Sequence, residues 1–402
     1  MKIAISSTGG THRANELASE LYARGLLDTL FIPFYSHKHP YLANLFGRAE
    51  DKLDIAIEKI KTNLSFSLLR KARSRLGFAF KSPRSFFLSE SFDKWVASAI
   101  AGKSGSDANI VMAEGIVALH TIRKAKQLGM VTMLDTTNTH ILNQSRILEE
   151  EYERLGIKYS FNPSSIIEKG LREYEEADYI TVRSSFSGRT FSERGIPDKK
   201  LFVVPSGISM ENFRQIKKDD DIFRVIYCGL SCVKKGTHYL LQAFKELSLK
   251  NAELWLIGNV LDDIKPLMNK FEGSSKSIPF IKREELYKYY SQGSVFVMPS
   301  LEEGLAKVIM EAMACGLPVI ATANTGAEDI FQDSREGFII SAGDVEALKE
   351  KMLYMYNNRD VCREMGQAAK KHIQTGFTIE AYAERMIDTF NITLNQKGKV
   401  RA

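Results

Sequence analysis

Cysteine is scarce in this chain. Four occur among 402 residues, Cys228, Cys232, Cys315 and Cys362, and no two form a C-x-x-C pair. A disulfide framework and a zinc knuckle are therefore set aside, and reduced thiols in or near a core are expected, as in the cytosol. No apolar run approaches the roughly 18 residues that a membrane-spanning helix needs. The opening MKIAISSTGG is too short in apolar residues for a signal peptide. There is no G-x-G-x-x-G, which speaks against a nicotinamide enzyme, and no repeat at a solenoid period. A strong excess of one charge is also lacking. Lys and Arg number 55, Asp and Glu 49, for a net charge of +6. So mild a balance is not the footprint of a nucleic-acid binder. A cytoplasmic protein is expected.

The composition is that of a globular protein, 44% hydrophobic and 26% charged, and the length suggests two domains. Short β-rich runs alternate with amphipathic helical stretches, the pattern of a parallel α/β architecture. KIAIS, LFIPF, NIVMA, VTMLD, YITVR and LFVVP read as strands of one sheet. After the polar connector IKKDDDI the alternation restarts with FRVIYCG, ELWLIG, IPFI, SVFVMP, PVIATA and GFIIS. The chain thus divides near 205–221. The last residues, FTIEAYAERMIDTFNITL, follow without another strand and have helical periodicity.

Leu69 to Leu88, LRKARSRLGFAFKSPRSFFL, holds six Lys or Arg, no acid and four Phe. Two readings stand: a solvated basic helix and loop, or a surface that meets anionic lipid or a lipid-linked acceptor.

The most informative stretch is Ser300 to Gly326, SLEEGLAKVIMEAMACGLPVIATANTG. A buried strand precedes it, and Gly316 and Pro318 stop the helix that follows. Glu303 is expected before the helix or at its first turn and Glu311 two turns inside. Eight helical residues rise about 12 Å, beyond the roughly 5–9.5 Å of a glycoside-hydrolysing carboxylate pair. The two acids are therefore expected to hold different parts of one elongated ligand. Between them the amides of Gly304, Leu305 and Ala306, at a helix start, suit an anion. A nucleoside-diphosphate sugar fits that layout. Taken alone, an E-x7-E spacing is also what a helix-start charge and a solvated face residue produce. Lys235-Gly236, in the loop after the first strand of the second set, can reach a diphosphate at the carboxyl ends of the same sheet, where ligands of open α/β sheets gather. AEGI and DTTNTH stand at comparable strand ends in the first set, and the cleft between two such sheets is the default site.

In these segments the chain resembles the retaining glycosyltransferases of family four. The resemblance covers most of the chain and is strongest from Glu173 to Ile330. EYEEADYITVRSSFSGRTFSERGIPDKKLFVVPSGISMENF is similar to the family's crossing into its second domain, CGLSCVKKG to its phosphate loop, and EEGLAKVIMEAMACGLPVIA to its E-x7-E signature. LDTTNTHILNQSRILEEEY resembles the acceptor-side segment of some bacterial members.

The resemblance implies a GT-B fold: two Rossmann-like domains facing across a deep cleft, residues 1–205 on the acceptor side and 206–377 on the donor side, with a helix over 378–402 returning to the first domain. It also implies roles. Glu311 takes the ribose hydroxyls, and Glu303 contacts the transferred sugar. Gly304, Leu305 and Ala306 present amides to the diphosphate or sugar. Lys235, with Lys234 beside it, stabilises the leaving diphosphate. Gly9 and Gly10 let the first loop approach that diphosphate, since no Cβ blocks it.

Two positions depart from the pattern. Leu230 stands where members often carry arginine, which leaves the phosphate charge to the two lysines. Asp135 stands where many carry histidine. His140, five residues on, is the candidate catalytic group for that acceptor side, with Asp135 as its partner; an ordinary residue at a helix N-terminus is the competing reading.

Asp219-x-Asp221 formally matches a metal-binding motif of another glycosyltransferase fold but lies in the connector, and His37-Lys38-His39 reads as a loop. No metal and no cofactor are expected beyond the nucleotide-sugar co-substrate. The expectation is a retaining, metal-independent transferase acting on a glycan or lipid-linked acceptor in polysaccharide or glycolipid synthesis, with no nucleic-acid partner. It would be cytoplasmic, or at the inner membrane face through residues 69–88. A nucleotide-sugar 2-epimerase and a non-catalytic nucleotide-sugar binder are the alternatives.

Overall fold

The computed structural model describes residues 1–8, 12–42, 53–75, 86–102, 107–159 and 162–401. Gly9 and Gly10, and residues 76–85 of the basic stretch, lie outside the described residues. Two parallel sheets organise the chain. The first holds β1 (Ile3–Ser6), β2 (Leu27–Ile32), β3 (Ile60–Thr62), β4 (Ile110–Glu114), β5 (Val131–Asp135), β6 (Tyr179–Val182) and β7 (Leu201–Val203), in the order β3-β2-β1-β4-β5-β6-β7. The second holds β8 (Phe223–Cys228), β9 (Ala252–Ile257), β10 (Lys276–Ile278), β11 (Val295–Met298), β12 (Val319–Thr322) and β13 (Gly337–Ile340), in the order β10-β9-β8-β11-β12-β13. Both orders reverse beside their first strand, which opens a crevice at the carboxyl ends of the strands. The architecture is the GT-B arrangement that the sequence suggests.

The strands are legible because helices cover both faces of each sheet. Every residue of β1, β5, β8, β11 and β12 is buried, so their sequences are mostly apolar on both faces rather than alternating. Two edge strands differ from expectation. β3 gives no such signal, since of Ile60, Lys61 and Thr62 only Ile60 is buried. β10 ends at Ile278, the first residue of the expected IPFI, because Pro279 has no N–H for the ladder.

The helix Ile379–Arg401 buries Tyr382, Ala383, Met386 and Phe390 in the core of the first sheet, against residues that include Leu17 and Leu21. Lys397 Nζ anchors its far end on the Met130 carbonyl at 2.6 Å. The two chain crossings between the sheets run side by side. Ile208 pairs with Thr378, and a Cβ on Gly207 would stand 2.1 Å from the Thr378 carbonyl oxygen, so only glycine lets them touch.

Candidate functional site

The carboxyl ends of the two sheets face each other. In the first sheet Glu114 and Asp135 are register partners at the ends of β4 and β5. Glu114 accepts hydrogen bonds from the Thr8 amide at 2.8 Å and the Thr8 and Ser7 hydroxyls at 2.9 and 3.2 Å, which sets the loop leaving β1. The loop after β4 is strained. Ile116 has φ +74°, unfavourable for a β-branched residue. Buried Glu173 holds it, accepting from the amides of Ile116, Ala118 and Leu119 at 2.5, 2.8 and 3.1 Å.

In the second sheet two loops meet. A Cβ on Gly236, φ +64°, would lie 2.0 Å from the Pro299 carbonyl oxygen, and the Leu301 amide donates to the Lys234 carbonyl at 3.0 Å. This apposition sets Lys234-Lys235 against Glu302-Glu303. Lys235 ion-pairs with Glu303. Lys234 Nζ lies 2.5 Å from Glu302 Oε2.

The helix expected to start near Gly304 starts at Lys307, with Ala306 as a cap that lacks a side-chain bond. The helical rise between Glu303 and Glu311 therefore does not apply, because Glu303 lies in the loop. The Ala306 amide donates to the Thr325 carbonyl at 3.0 Å, which removes it from the expected anion donors. The Gly304 and Leu305 amides have no partner among the described residues.

Glu311, 7% exposed, faces Arg283 Nε at 3.5 Å and the Tyr290 hydroxyl at 3.4 Å. Burial raises its pKa against the opposing pull of Arg283 and Lys307. Glu16, from the first domain, reaches Arg283 at 3.3 Å and Lys307 at 3.4 Å. This end of the cleft is thus lined by two acids and two bases drawn from both domains.

Asp135 and His140 are not brought together. Asp135 is buried between Arg13, at 2.7 Å, and Arg183, and accepts from the Thr181 hydroxyl at 2.8 Å. His140, 2% exposed, caps the helix Ile141–Arg154 by accepting from the Leu142 amide, and its ring packs on Tyr174 and Phe191. Burial, aided by the charge of Arg194, brings its pKa down to about 4. The expected catalytic imidazole is corrected to a neutral cap embedded in the core.

Sequence reasoning missed Glu302. It is 0% exposed and joins the two domains. Oε1 accepts from the Thr139 amide at 3.0 Å and hydroxyl at 2.7 Å, and Oε2 from Gln144 Nε2 at 2.8 Å besides Lys234. Burial alone would raise its pKa, but the Lys234 charge and these bonds outweigh it and bring the carboxyl down to about 2. The signal available was the doublet itself, two adjacent lysines and two adjacent glutamates.

The docking role of the helix Ile141–Arg154 was missed as well. Gln144, Leu148, Glu151 and Tyr152 form one stripe on it that docks on the second domain. Leu148 and Tyr152 pack with Val233, Ile264 and Leu267, and Glu151 bonds to His238 at 2.8 Å and Tyr239 at 2.9 Å. The helix therefore rests on the loop that carries Lys234 and Lys235.

Glu90, Asp93 and His120 could hold a cation, yet Lys169 Nζ already occupies their centre, 2.8 Å from Asp93 and paired with Glu90. The set serves the fold, since Asp93 also accepts from the His120 and Thr121 amides at 2.9 and 2.8 Å.

Residues 209–372 match the family model described as glycosyl transferases group 1. Over those residues the chain is similar to the glycosyl transferases group 1. The Staphylococcus aureus capsular polysaccharide biosynthesis glycosyltransferase CapM is 28% identical over 244 residues, 55% of this chain and 63% of its own length. The Bacillus subtilis putative glycosyltransferase EpsD is 26% identical over 253 residues, 59% of this chain and 66% of its own. The matches thus span just under two thirds of these relatives. Among solved structures, sucrose-phosphate synthase from Thermosynechococcus elongatus superposes with a TM-score of 0.75 at 18% identity, over 98% of this chain and all of that one. HepE of Anabaena, in complex with UDP and glucose, gives 0.68 at 15% identity, over 97% and 99%. These likenesses establish the shared two-domain fold.

Proposed function

We propose that this protein transfers a sugar, with retention of anomeric configuration, from a nucleoside-diphosphate sugar to a hydroxyl of a glycan or lipid-linked acceptor in the making of a surface polysaccharide or glycolipid. The observation that carries the reading is the juxtaposition of Lys235 and Glu303 with the Gly304 and Leu305 amides, which have no partner among the described residues, at the carboxyl ends of a parallel sheet. The named roles of CapM, and the UDP and glucose held by HepE, support the donor and product classes.

In the proposed reaction the bond between the anomeric carbon and the diphosphate oxygen breaks. The acceptor oxygen bonds that carbon from the same face, and its proton passes to the departing phosphate. Lys235 and the two amides stabilise the charge on the leaving group, an electrostatic contribution that is large in a water-poor cleft. Glu303 holds the sugar and Glu311 the ribose hydroxyls. Positive charge comes from these residues without a metal ion, so EDTA should leave turnover unaltered; strong inhibition would refute that part.

Leu68, just before the basic stretch 69–88, and Phe86 and Phe87, near its end, are exposed, and we assign that surface to anionic membrane at the cytoplasmic face. Neutralising Arg70, Lys71, Arg73 and Arg75 together should release the protein from phosphatidylglycerol vesicles; undiminished binding would reject it.

The test of the activity is a thermal-shift screen against UDP-, GDP-, ADP- and TDP-sugars, followed by Lys235→Ala. One nucleotide class should raise the melting temperature, and the substitution should cut turnover about 10²-fold or more. No shift with any donor, or an epimerised donor formed without acceptor, would contradict the reading.

A further inference from the structure

Two of the three residues around Glu302 belong to a second cavity. Thr139 and Gln144 line a polar hollow with Gly115, Ile116, Thr136 and Asn138, about 30 Å³ in volume, room for a water molecule or one hydroxyl-bearing group. This hollow lies wholly in the first domain. The other partner, Lys234, lies in the second domain beside Lys235. A single carboxylate thus ties the proposed diphosphate loop to the wall of a hydroxyl-sized hollow across the cleft.

We propose that Glu302 is a positioning residue that couples donor binding to the acceptor wall. This rests on the nucleotide-sugar reading above and adds a residue and a direction of coupling to it.

An ionised carboxylate only accepts, and here each oxygen receives two donors, so its capacity is full. That commitment orients its neighbours. Gln144 must turn its NH₂ toward Glu302, so its Oε1, which accepts no hydrogen bond among the described residues, is left for an incoming hydroxyl. The Thr139 hydroxyl proton is likewise committed. Lys234 gives Glu302 one of its three N–H groups, which leaves two for phosphate.

When a diphosphate arrives, Lys234 is shared between two anions. Its hold on Glu302 weakens, and the carboxylate leans harder on Thr139 and Gln144. Donor binding therefore firms the 136–147 segment of the other domain, and by linkage a firm segment favours the donor. Glu302 is full only as a carboxylate. A carboxamide would place an NH₂ either against the Thr139 amide and hydroxyl or against both Lys234 and the Gln144 amide, so the couple fails while the shape is kept.

Hydrogen exchange of the full chain tests this, with inorganic pyrophosphate as a probe that carries the diphosphate without choosing a base. In the wild type, pyrophosphate should slow exchange both at 229–236 and at 136–147, the latter about fivefold or more, the scale of a typical coupling. In Glu302→Gln, protection at 229–236 should persist while that at 136–147 is lost. Thr139→Val, which removes one bond and keeps the charge pair, should lose only part of it and guards against a folding defect in the first variant. Protection confined to 229–236 in the wild type, or undiminished at 136–147 in Glu302→Gln, overturns the coupling and leaves the donor reading intact. No protection at all, with pyrophosphate or with UDP, GDP and ADP, overturns the donor reading and the coupling with it.

Discussion

His140 shows how little a residue type says about its role. A histidine near a strand end invites a catalytic reading, but its ring is packed against Tyr174 and Phe191 and its nitrogen caps a helix. Its folded pKa of about 4 lies below the ordinary 6.5. The unfolded chain therefore binds this proton below pH 6.5 while the folded chain refuses it until about 4. Stability that is full above 6.5 should fall as pH drops through that window, by about 2–3 kcal/mol. His140→Asn keeps a capping oxygen and removes the titration. Urea unfolding at a series of pH values should show the wild type losing its stability relative to the variant between 6.5 and 4; parallel curves would contradict this. Glu302 and Glu151, with carboxyls near 2, act below that window. Lys235, Glu303, Glu311 and the Gly304 and Leu305 amides were legible as site candidates because residue chemistry and spacing announce them. Glu302 was not, since its meaning comes from Thr139 and Gln144, over 150 residues away in sequence. The pairing of Asp135 with His140 was misjudged for the same reason, the partners of Asp135 being Arg13 and Arg183.

Among elements, strands were easier to read than helix ends and docking faces. Continuous apolar runs mark strands buried on both sides, whereas β3 is too short and too exposed to signal itself. The start at Lys307 had no capping side chain to betray it. The helix Ile141–Arg154 reads as an ordinary amphipathic helix, and nothing local says that its stripe rests on another domain. Leu148 carries the apolar part of that contact. Leu148→Ala should cost about 2–4 kcal/mol, the range for a buried leucine, and should weaken nucleotide binding because Val233, in the lysine loop, loses its support. Calorimetry and nucleotide titration would check both; a loss under about 1 kcal/mol with unaltered affinity would show the helix merely adjacent.

For the whole molecule, the two domains meet through contacts that tolerate no added atom. A Cβ on Gly304 would lie 2.1 Å from the Thr137 carbonyl oxygen, and the Ser184 hydroxyl donates to the Gly304 carbonyl at 2.6 Å. Ser185 pairs with Asp329 at 2.6 and 2.7 Å nearby. Gly304→Ala should prise the domains apart at the transfer point and cut turnover about 10²-fold, since misplacement by about 1 Å is that costly. Wild-type turnover would mean that the cleft works in another arrangement. The two-sheet plan was legible from the restart of the βα alternation after Pro205, while the cross-domain carboxylate contacts appear only once both sheets are placed. The central claim is that the nucleotide-sugar lies between those sheets along the Glu303–Glu311 loop and helix. A crystal structure with the donor chosen by thermal shift tests it most directly. The diphosphate should lie within hydrogen-bond reach of Lys235 Nζ and the Gly304 and Leu305 amides, with the ribose at Glu311; a nucleotide seated away from that loop, or Glu311 turned from the ribose, would contradict it.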